Sequence, residues 1–236
     1  MTRMYLDFVE AQNEIKRDLA ELGVSVHPET MQDIYVADNP DFETKELANY
    51  IYVVLDPDYT KIEGVHEDWV IAEWSDRLTG GLNPGHAWKT RRDVWVPFLH
   101  SKDRSGQLSP TAGRFAYTYS DRMGGKHLQF IIDELKRHPT SRQLWLPVWD
   151  RLTDEKRRGE QRVPCSLGYW FVLRDKKLHL TYVMRSCDFH THYPNDVALA
   201  SIMLKFVADN TGHPVGTLTH FIGSLHVYAK DVSHVF

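Results

Sequence analysis

Apolar residues recur along this chain with two different periods, and the periods divide it into elements. In KHLQFIIDELKR, residues 126–137, Leu128, Ile131, Ile132 and Leu135 fall three and four apart, the stripe of an amphipathic helix, and HPTS then ends it. The N-terminal stretch predicts a helix over about 5–22 by the same spacing. Apolar stretches follow at 47–55 and 68–78, with IYVAD at 34–38 extended between them and the first helix. QLWLPVW (143–149) reads as a strand. CSLGYWFVLR and KLHLTYVMR are two apolar runs joined by Asp175-Lys176-Lys177, which predicts a hairpin without the usual Gly. NDVALASIMLKFVADNTG (195–212) is apolar on nearly every side and predicts a buried helix, stopped by Gly212 with Pro214 beyond. TLTHFIGSLHVYAKD then returns as a strand. The expected fold class is α+β: a mostly antiparallel sheet, one long buried core helix and flanking helices, in a single domain over 1–236. The charge cluster DEKRRGEQR (154–162) mixes both signs, so it reads as a solvated loop and not as a linker or nucleic-acid patch.

Composition narrows the class of function. A net charge of −4 gives no basic field for nucleic acid or an anionic membrane. No apolar run approaches the roughly 20 residues of a membrane span, and the N-terminus lacks a signal-peptide core. Two Cys are too few for a disulfide framework and suggest a reducing compartment. A soluble, cytoplasmic protein is the expectation.

Candidate chemistry concentrates in MRSCDFHTHYPND, residues 184–196, which holds two Asp, two His, a Cys, an Arg and an Asn just before the apolar helix. His190 and His192 form an HxH pair, but with no third ligand at a set spacing the pattern is a weak metal signal, and no metal is expected. Cys165 follows a Pro at the start of a predicted strand; alone, such a Cys is more often an inert small core residue than a nucleophile. The order VPCSLGYWF, VMRSCDF, YPND before a helix, then GSLHVY changes that reading. Together these motifs resemble the thymidylate synthase superfamily, and most of all its branch of bacteriophage pyrimidine-nucleotide hydroxymethylases. The resemblance runs from about Ser141 to Asp231 and more weakly back to about Glu67; before that only YVADNP (35–40) echoes the phage branch.

The resemblance implies a role for each matching residue. Cys165 matches the nucleophile that adds to carbon 6 of the pyrimidine. Arg185 and Ser186 match the pair that holds the nucleotide phosphate, and a guanidinium near the thiol would also favour thiolate. Asp188 matches an Asp beside base and folate. His226 and Tyr228 match the His-x-Tyr that addresses the sugar hydroxyl; two apart on a strand, they share a face. Arg142 matches an Arg donated across a homodimer interface to the partner's phosphate, although Gln143 stands where the family usually has a second Arg. Glu73 lies seven residues before Gly80 and twenty-two before Trp95, the relation of the family's catalytic Glu to a Gly and a folate-side Trp. Glu46 is the alternative. The family's Tyr near the carbon-5 proton falls at Tyr117 or Tyr119. The family's N-terminal phosphate loop, normally with Arg or Lys, has no counterpart in GVSVHPETMQ.

One letter bears on the substrate. Alignment on Pro194 puts Asp196 where thymidylate synthases carry the Asn that reads uracil. Cytosine presents a ring-nitrogen acceptor beside an amino donor, and an Asp carrying a proton matches both. A register one residue off would make Asn195 the reader and dUMP the substrate. The implied co-substrate is 5,10-methylenetetrahydrofolate, whose methylene carbon 5 attacks. Hydride from the folate then gives methyl, whereas water gives hydroxymethyl. The chain stops eight residues after Tyr228, which predicts no closing tail and a wetter site. The expected activity is 5-hydroxymethylation of dCMP. A dUMP hydroxymethylase, a dCMP methyltransferase or thymidylate synthase, and a catalytically dead nucleotide- or RNA-binding relative are the alternatives; intact Cys165, Arg185, His226 and Tyr228 argue against the last.

Overall fold

A computed structural model describes residues 3–32, 34–102, 105–155 and 162–236. Most of the predicted loop at 154–162 lies outside the described residues, since 156–161 are not among them. The strands are β1 (Arg3–Tyr5), β2 (Val24–Val26), β3 (Thr30–Met31), β4 (Ile34–Tyr35), β5 (Thr44–Val54), β6 (Trp145–Pro147), β7 (Ser166–Arg174), β8 (Lys177–Asp188) and β9 (Val215–Tyr228). The helices are α1 (Phe8–Leu22), α2 (Glu67–Thr79), α3 (Arg92–Trp95), α4 (Tyr119–Met123), α5 (Lys126–Arg137), α6 (Arg151–Asp154), α7 (Tyr193–Thr211) and α8 (Val232–Val235). No helix among the described residues is long and apolar enough to cross a membrane.

Seven strands form one sheet in the order β1-β5-β9-β8-β7-β6, with β2 also on β5; β3 and β4 make a separate hairpin. Most pairings in the sheet are antiparallel, as expected, and two are parallel: β1 runs parallel to β5, and β8 parallel to β9. The reason for the second lies in α7. Parallel neighbours need a long crossover, and this 19-residue helix carries the chain from the end of β8 back to the start of β9. Its buried residues include Val197, Leu199, Met203, Leu204 and Val207, so it sits inside the core and not on a surface. Gly212, at φ 74°, ends it, and His213 N–H closes back onto Ala208 O at 3.0 Å.

Other elements follow the sequence with small shifts. The first helix starts at Phe8 because the Asp7 carboxylate caps it, accepting from Glu10 N–H at 3.1 Å, while residues 3–5 join the sheet. Helix α5 has the predicted limits. The β7–β8 hairpin turns on Asp175 and Lys176, both at positive φ (50° and 63°), the geometry of a two-residue turn that usually selects Asn or Gly. In the core, Tyr52, Tyr193 and His220 form a buried chain: Tyr52 OH lies 2.9 Å from His220 Nδ1 and 2.8 Å from Tyr193 OH. Burial pushes His220 down to about 3, so it stays a neutral hydrogen-bond partner.

Truncating Leu204, which is 0% exposed, to Ala is expected to lower unfolding stability by about 2–5 kcal/mol. Phe130→Ala on α5, where the ring is 56% exposed, is expected to change it by no more than about 0.5 kcal/mol. Denaturant titration of the two variants checks the contrast.

Candidate active site

Strands β8 and β9 are parallel neighbours, so their carboxyl ends finish side by side, with Asp188 paired to His226 and Ser186 to Ser224. The chain turns directly from β8 into α7, which brings His192, Asn195 and Asp196 to the same end. A cleft of about 530 Å³ opens there. Its walls include Cys165, Arg185, Ser186, Asp188, Asn195, Asp196, His226, Tyr228, Trp95, Tyr117 and Tyr119, residues that sequence reasoning singled out from five separate stretches. Glu46 on β5 lines it as well, opposite His226 in the β5–β9 register.

Cys165 stands just before β7 and is clamped from two sides. Arg185 N–H donates to Cys165 O at 2.8 Å. The Arg185 guanidinium donates through Nε to Pro164 O at 2.9 Å and through Nη2 to Val163 O at 3.2 Å, and the same Nη2 lies 3.8 Å from the Cys165 sulfur. From the other side Gln32 Nε2 donates to the sulfur at 3.4 Å. Burial pushes the thiol up; Arg185 pulls it back down, Asp196 pushes it further up, and Arg162 and the Gln32 hydrogen bond pull down. Arg185 therefore acts on the thiol in the expected direction, but burial outweighs it.

The two neighbours at the start of α7 have different tasks. Asn195 is buried, its Oδ1 accepts from His66 N–H at 2.9 Å, and its Nδ2 donates to Thr191 O at 3.4 Å. Both ends of that amide are spent on backbone. The half-buried Asp196 carboxyl receives no hydrogen bond from the described residues. Burial pushes it up to about 7; Arg77 draws it down, while Glu73 and Asp188 push it up. Asp188 is held rigidly, its Oδ1 accepting from His190 N–H at 3.0 Å and Thr191 N–H at 3.2 Å. His226 is driven down by burial, so the ring is neutral; its Nδ1 lies 3.3 Å from Ser224 Oγ, and Tyr228 packs edge-on at 5.1 Å.

Opposite, an aromatic wall rises. Trp95 stacks on Trp69 at 6.0 Å and 13°, and Phe98 tilts against it at 6.3 Å. Trp95 Nε1 is buried without a partner among the described residues. Trp95 and Phe98 line the cleft, an aromatic surface of the kind on which a bicyclic heterocycle such as the ring system of a folate packs.

Two expected residues stand elsewhere. Glu73 does not line the cleft: it pairs with Arg77 at 2.9 Å on its own helix, with side chains 14% and 2% exposed, and Arg77 lies over the Tyr119 ring at 4.8 Å. Burial pushes Glu73 up against the pull of Arg77. Arg142 is exposed and lines a separate groove with Leu173–Lys176 and Gly212–Pro214, away from this cleft. Its neighbour Gln143 is exposed too. The HxH pair splits: His190 stacks on His234 at 5.6 Å, and His192 tilts onto Trp95 at 5.9 Å. No group of three His, Cys, Asp or Glu able to hold a metal occurs among the described residues.

Sequence reasoning missed Gln32 and Arg162. Arg162 lies over the rings of Trp95, Phe98 and Tyr117 at 5.1, 4.8 and 4.8 Å, yet in sequence it ends a mixed-charge run and looks like surface. Gln32 sits in the stretch that lacks the Arg or Lys of a phosphate loop, and an isolated amide carries no periodic signal.

Comparison with known proteins agrees with this geometry. The thymidylate synthase family model matches residues 63–236. A putative thymidylate synthase of Methanosarcina barkeri is 36% identical over 224 residues, 91% of this chain and 94% of its own length. One of Methanosarcina mazei is 35% identical over 122 residues, 50% of this chain and 55% of its own. The thymidylate synthase of Leuconostoc mesenteroides is 29% identical over 196 residues, 72% and 60% of the two chains. The expected loss of resemblance ahead of about Glu67 matches the start of the family model at residue 63, although the first of these relatives aligns over most of the chain. With its Cys165, Arg185 and His226 gathered at one cleft, the chain belongs to the thymidylate synthase family, the folate-dependent one-carbon transferases.

Proposed function

We propose that the protein is a deoxycytidylate 5-hydroxymethylase. The observation that carries the reading is the division of labour between Asn195 and Asp196. Asn195 has its amide oxygen and one N–H engaged by the backbone of His66 and Thr191, whereas the Asp196 carboxyl lines the cleft with no hydrogen bond from the described residues and, pushed up to about 7 by burial, keeps its proton to near that pH. A protonated carboxyl donates to the cytosine ring nitrogen and accepts from the amino group. Against uracil the same carboxyl is complementary only if its proton sits on the oxygen facing the carbonyl; with the proton on the oxygen facing the ring nitrogen, or lost, polar groups are mismatched at about 1–3 kcal/mol each.

The remaining side chains supply the other steps. Arg185 and Ser186 bind the phosphate, and His226 with Tyr228 binds the sugar hydroxyl. Cys165 thiolate adds to carbon 6, which moves electron density to carbon 5 and makes that carbon nucleophilic. Trp95 and Phe98 would hold the folate, which would supply a methylene unit at the oxidation level of formaldehyde. Tyr119 is favoured over Tyr117 as the group near the carbon-5 proton, because its hydroxyl accepts from Ser166 Oγ at 3.3 Å, next to the nucleophile. Glu73 works as a positioning residue, fixing Arg77 against the Tyr119 ring and raising the proton affinity of Asp196. Water as the final nucleophile would be held by the polar part of the cleft wall, Glu46, Asp188, Asp196, Ser186 and Ser224, within an otherwise aromatic and aliphatic lining. Hydride transfer asks for a drier site.

A second reading, 5-methylation of dUMP, is favoured by the names of the relatives, which are called thymidylate synthases. Incubation with methylenetetrahydrofolate and either nucleotide separates the two by mass spectrometry. The proposal expects dCMP to gain the mass of CH2O. A gain of CH2 on dUMP would establish the second reading, and a gain of CH2O on dUMP alone would make Asn195 the base reader.

The pH dependence of binding isolates Asp196 from the thiol. In a Cys165→Ser variant, dCMP binding is expected to weaken by up to about tenfold per pH unit above about 7, as the carboxyl that must donate loses its proton. Below that pH it is expected to be flat until the cytosine itself protonates. Isothermal titration at several pH values checks this, and binding independent of pH between 6 and 9 would contradict it.

A further inference from the structure

Gln32 lies outside the motifs that carry the family resemblance, yet it reaches the centre of the site. It follows β3 in the turn that leads to β4, at φ 59°, a backbone region that disfavours any residue with a Cβ and is kept where the surroundings demand it. The side chain spans two atoms of the nucleophile segment. Its Oε1 accepts from Val163 N–H at 3.3 Å and its Nε2 donates to the Cys165 sulfur at 3.4 Å. The first contact fixes the second: a backbone N–H can only donate, so the amide oxygen must face Val163 and the NH2 must face sulfur. Pro164 has no N–H, and the Pro164 and Val163 carbonyls are both taken by Arg185. The segment before the cysteine is thereby pinned by Gln32 on one side and by Arg185 on the other.

The two donors to sulfur differ in what else they do. Arg185 Nη2 is the more distant, at 3.8 Å, and that guanidinium is also the one the phosphate would engage. Gln32 is nearer, and its other hydrogen bond, from Val163 N–H, lies within the same segment. We propose that Gln32 is a catalytic residue: its amide donates to the Cys165 sulfur, favours the thiolate over the thiol, and continues to do so when Arg185 is shared with the nucleotide phosphate. An uncharged donor on the β3–β4 hairpin then serves in a stretch that lacks the Arg or Lys of the family's loop, acting on the nucleophile and not on the phosphate.

This inference rests on Cys165 being the nucleophile, and its test does not depend on turnover. The thiolate ultraviolet absorbance of the full chain is titrated with pH, using Cys165→Ser as the blank so that only this sulfur is read. Gln32→Ala is expected to move the titration upward by about one pH unit and to slow alkylation by iodoacetamide at fixed neutral pH about tenfold. Gln32→Glu keeps an acceptor for Val163 N–H but turns a carboxylate oxygen toward sulfur, so its shift is expected to exceed that of Gln32→Ala. A loss of packing alone would not produce that order. Titrations of both variants that coincide with the wild type would overturn the proposal. If the wild-type protein turned over no pyrimidine nucleotide, the functional reading would fail while the thiol titration still gave its answer.

Discussion

Arg185 ties the fold to the chemistry. Its main chain belongs to β8 and bonds to the Cys165 carbonyl, and its guanidinium holds the Val163 and Pro164 carbonyls and reaches the sulfur. The pairing of β7 with β8 therefore sets the position of the nucleophile relative to the cation beside it. The same strand ends at Asp188, whose backbone and carboxylate organise the turn into α7. A shift of β8 against β7 would displace Cys165, Arg185 and Asp196 relative to one another.

Burial then sets the protonation states of the cleft. It pushes Cys165 and Asp196 up, and His226 and His192 down, so these four groups are biased toward their neutral forms in the free protein. A neutral histidine suits a hydroxyl, and a protonated carboxyl suits cytosine. Only the thiol needs the opposite bias, and it is the group with hydrogen-bond donors and cations arranged around it. Arg185, Arg162 and Gln32 all favour its anion. Neutral recognition around one activated nucleophile is a consistent reading of these shifts.

The long elements and the site motifs were legible in the sequence because each carries a local signal. Helix α5 shows its period, α7 its unbroken apolar run and its Gly212 stop, and Cys165, Arg185 and His226 lie within ordered motifs. The parallel pairing of β8 with β9 was not legible from strand patterns, because direction depends on where α7 delivers the chain. Register on Pro194 favours Asp196 over Asn195 in the sequence; the His66 and Thr191 backbone groups that engage Asn195 come to it only on folding and carry no sequence signal. Glu73 had the right spacing but faces Arg77, a partner one helical turn along its own helix, so it stands behind the cleft. Gln32 and Arg162 act through contacts distant in sequence and had no pattern to announce them.

In the proposed reading, base discrimination resides in Asp196 and not in its neighbour. The ratio of kcat/KM for dCMP over dUMP in Asp196→Ala and Asn195→Ala tests this. Asp196→Ala is expected to lower the ratio about ten- to a hundredfold. Asn195→Ala, which removes two buried backbone contacts, should reduce stability and leave the ratio close to that of the wild type. A ratio that survives Asp196→Ala and collapses in Asn195→Ala would contradict it.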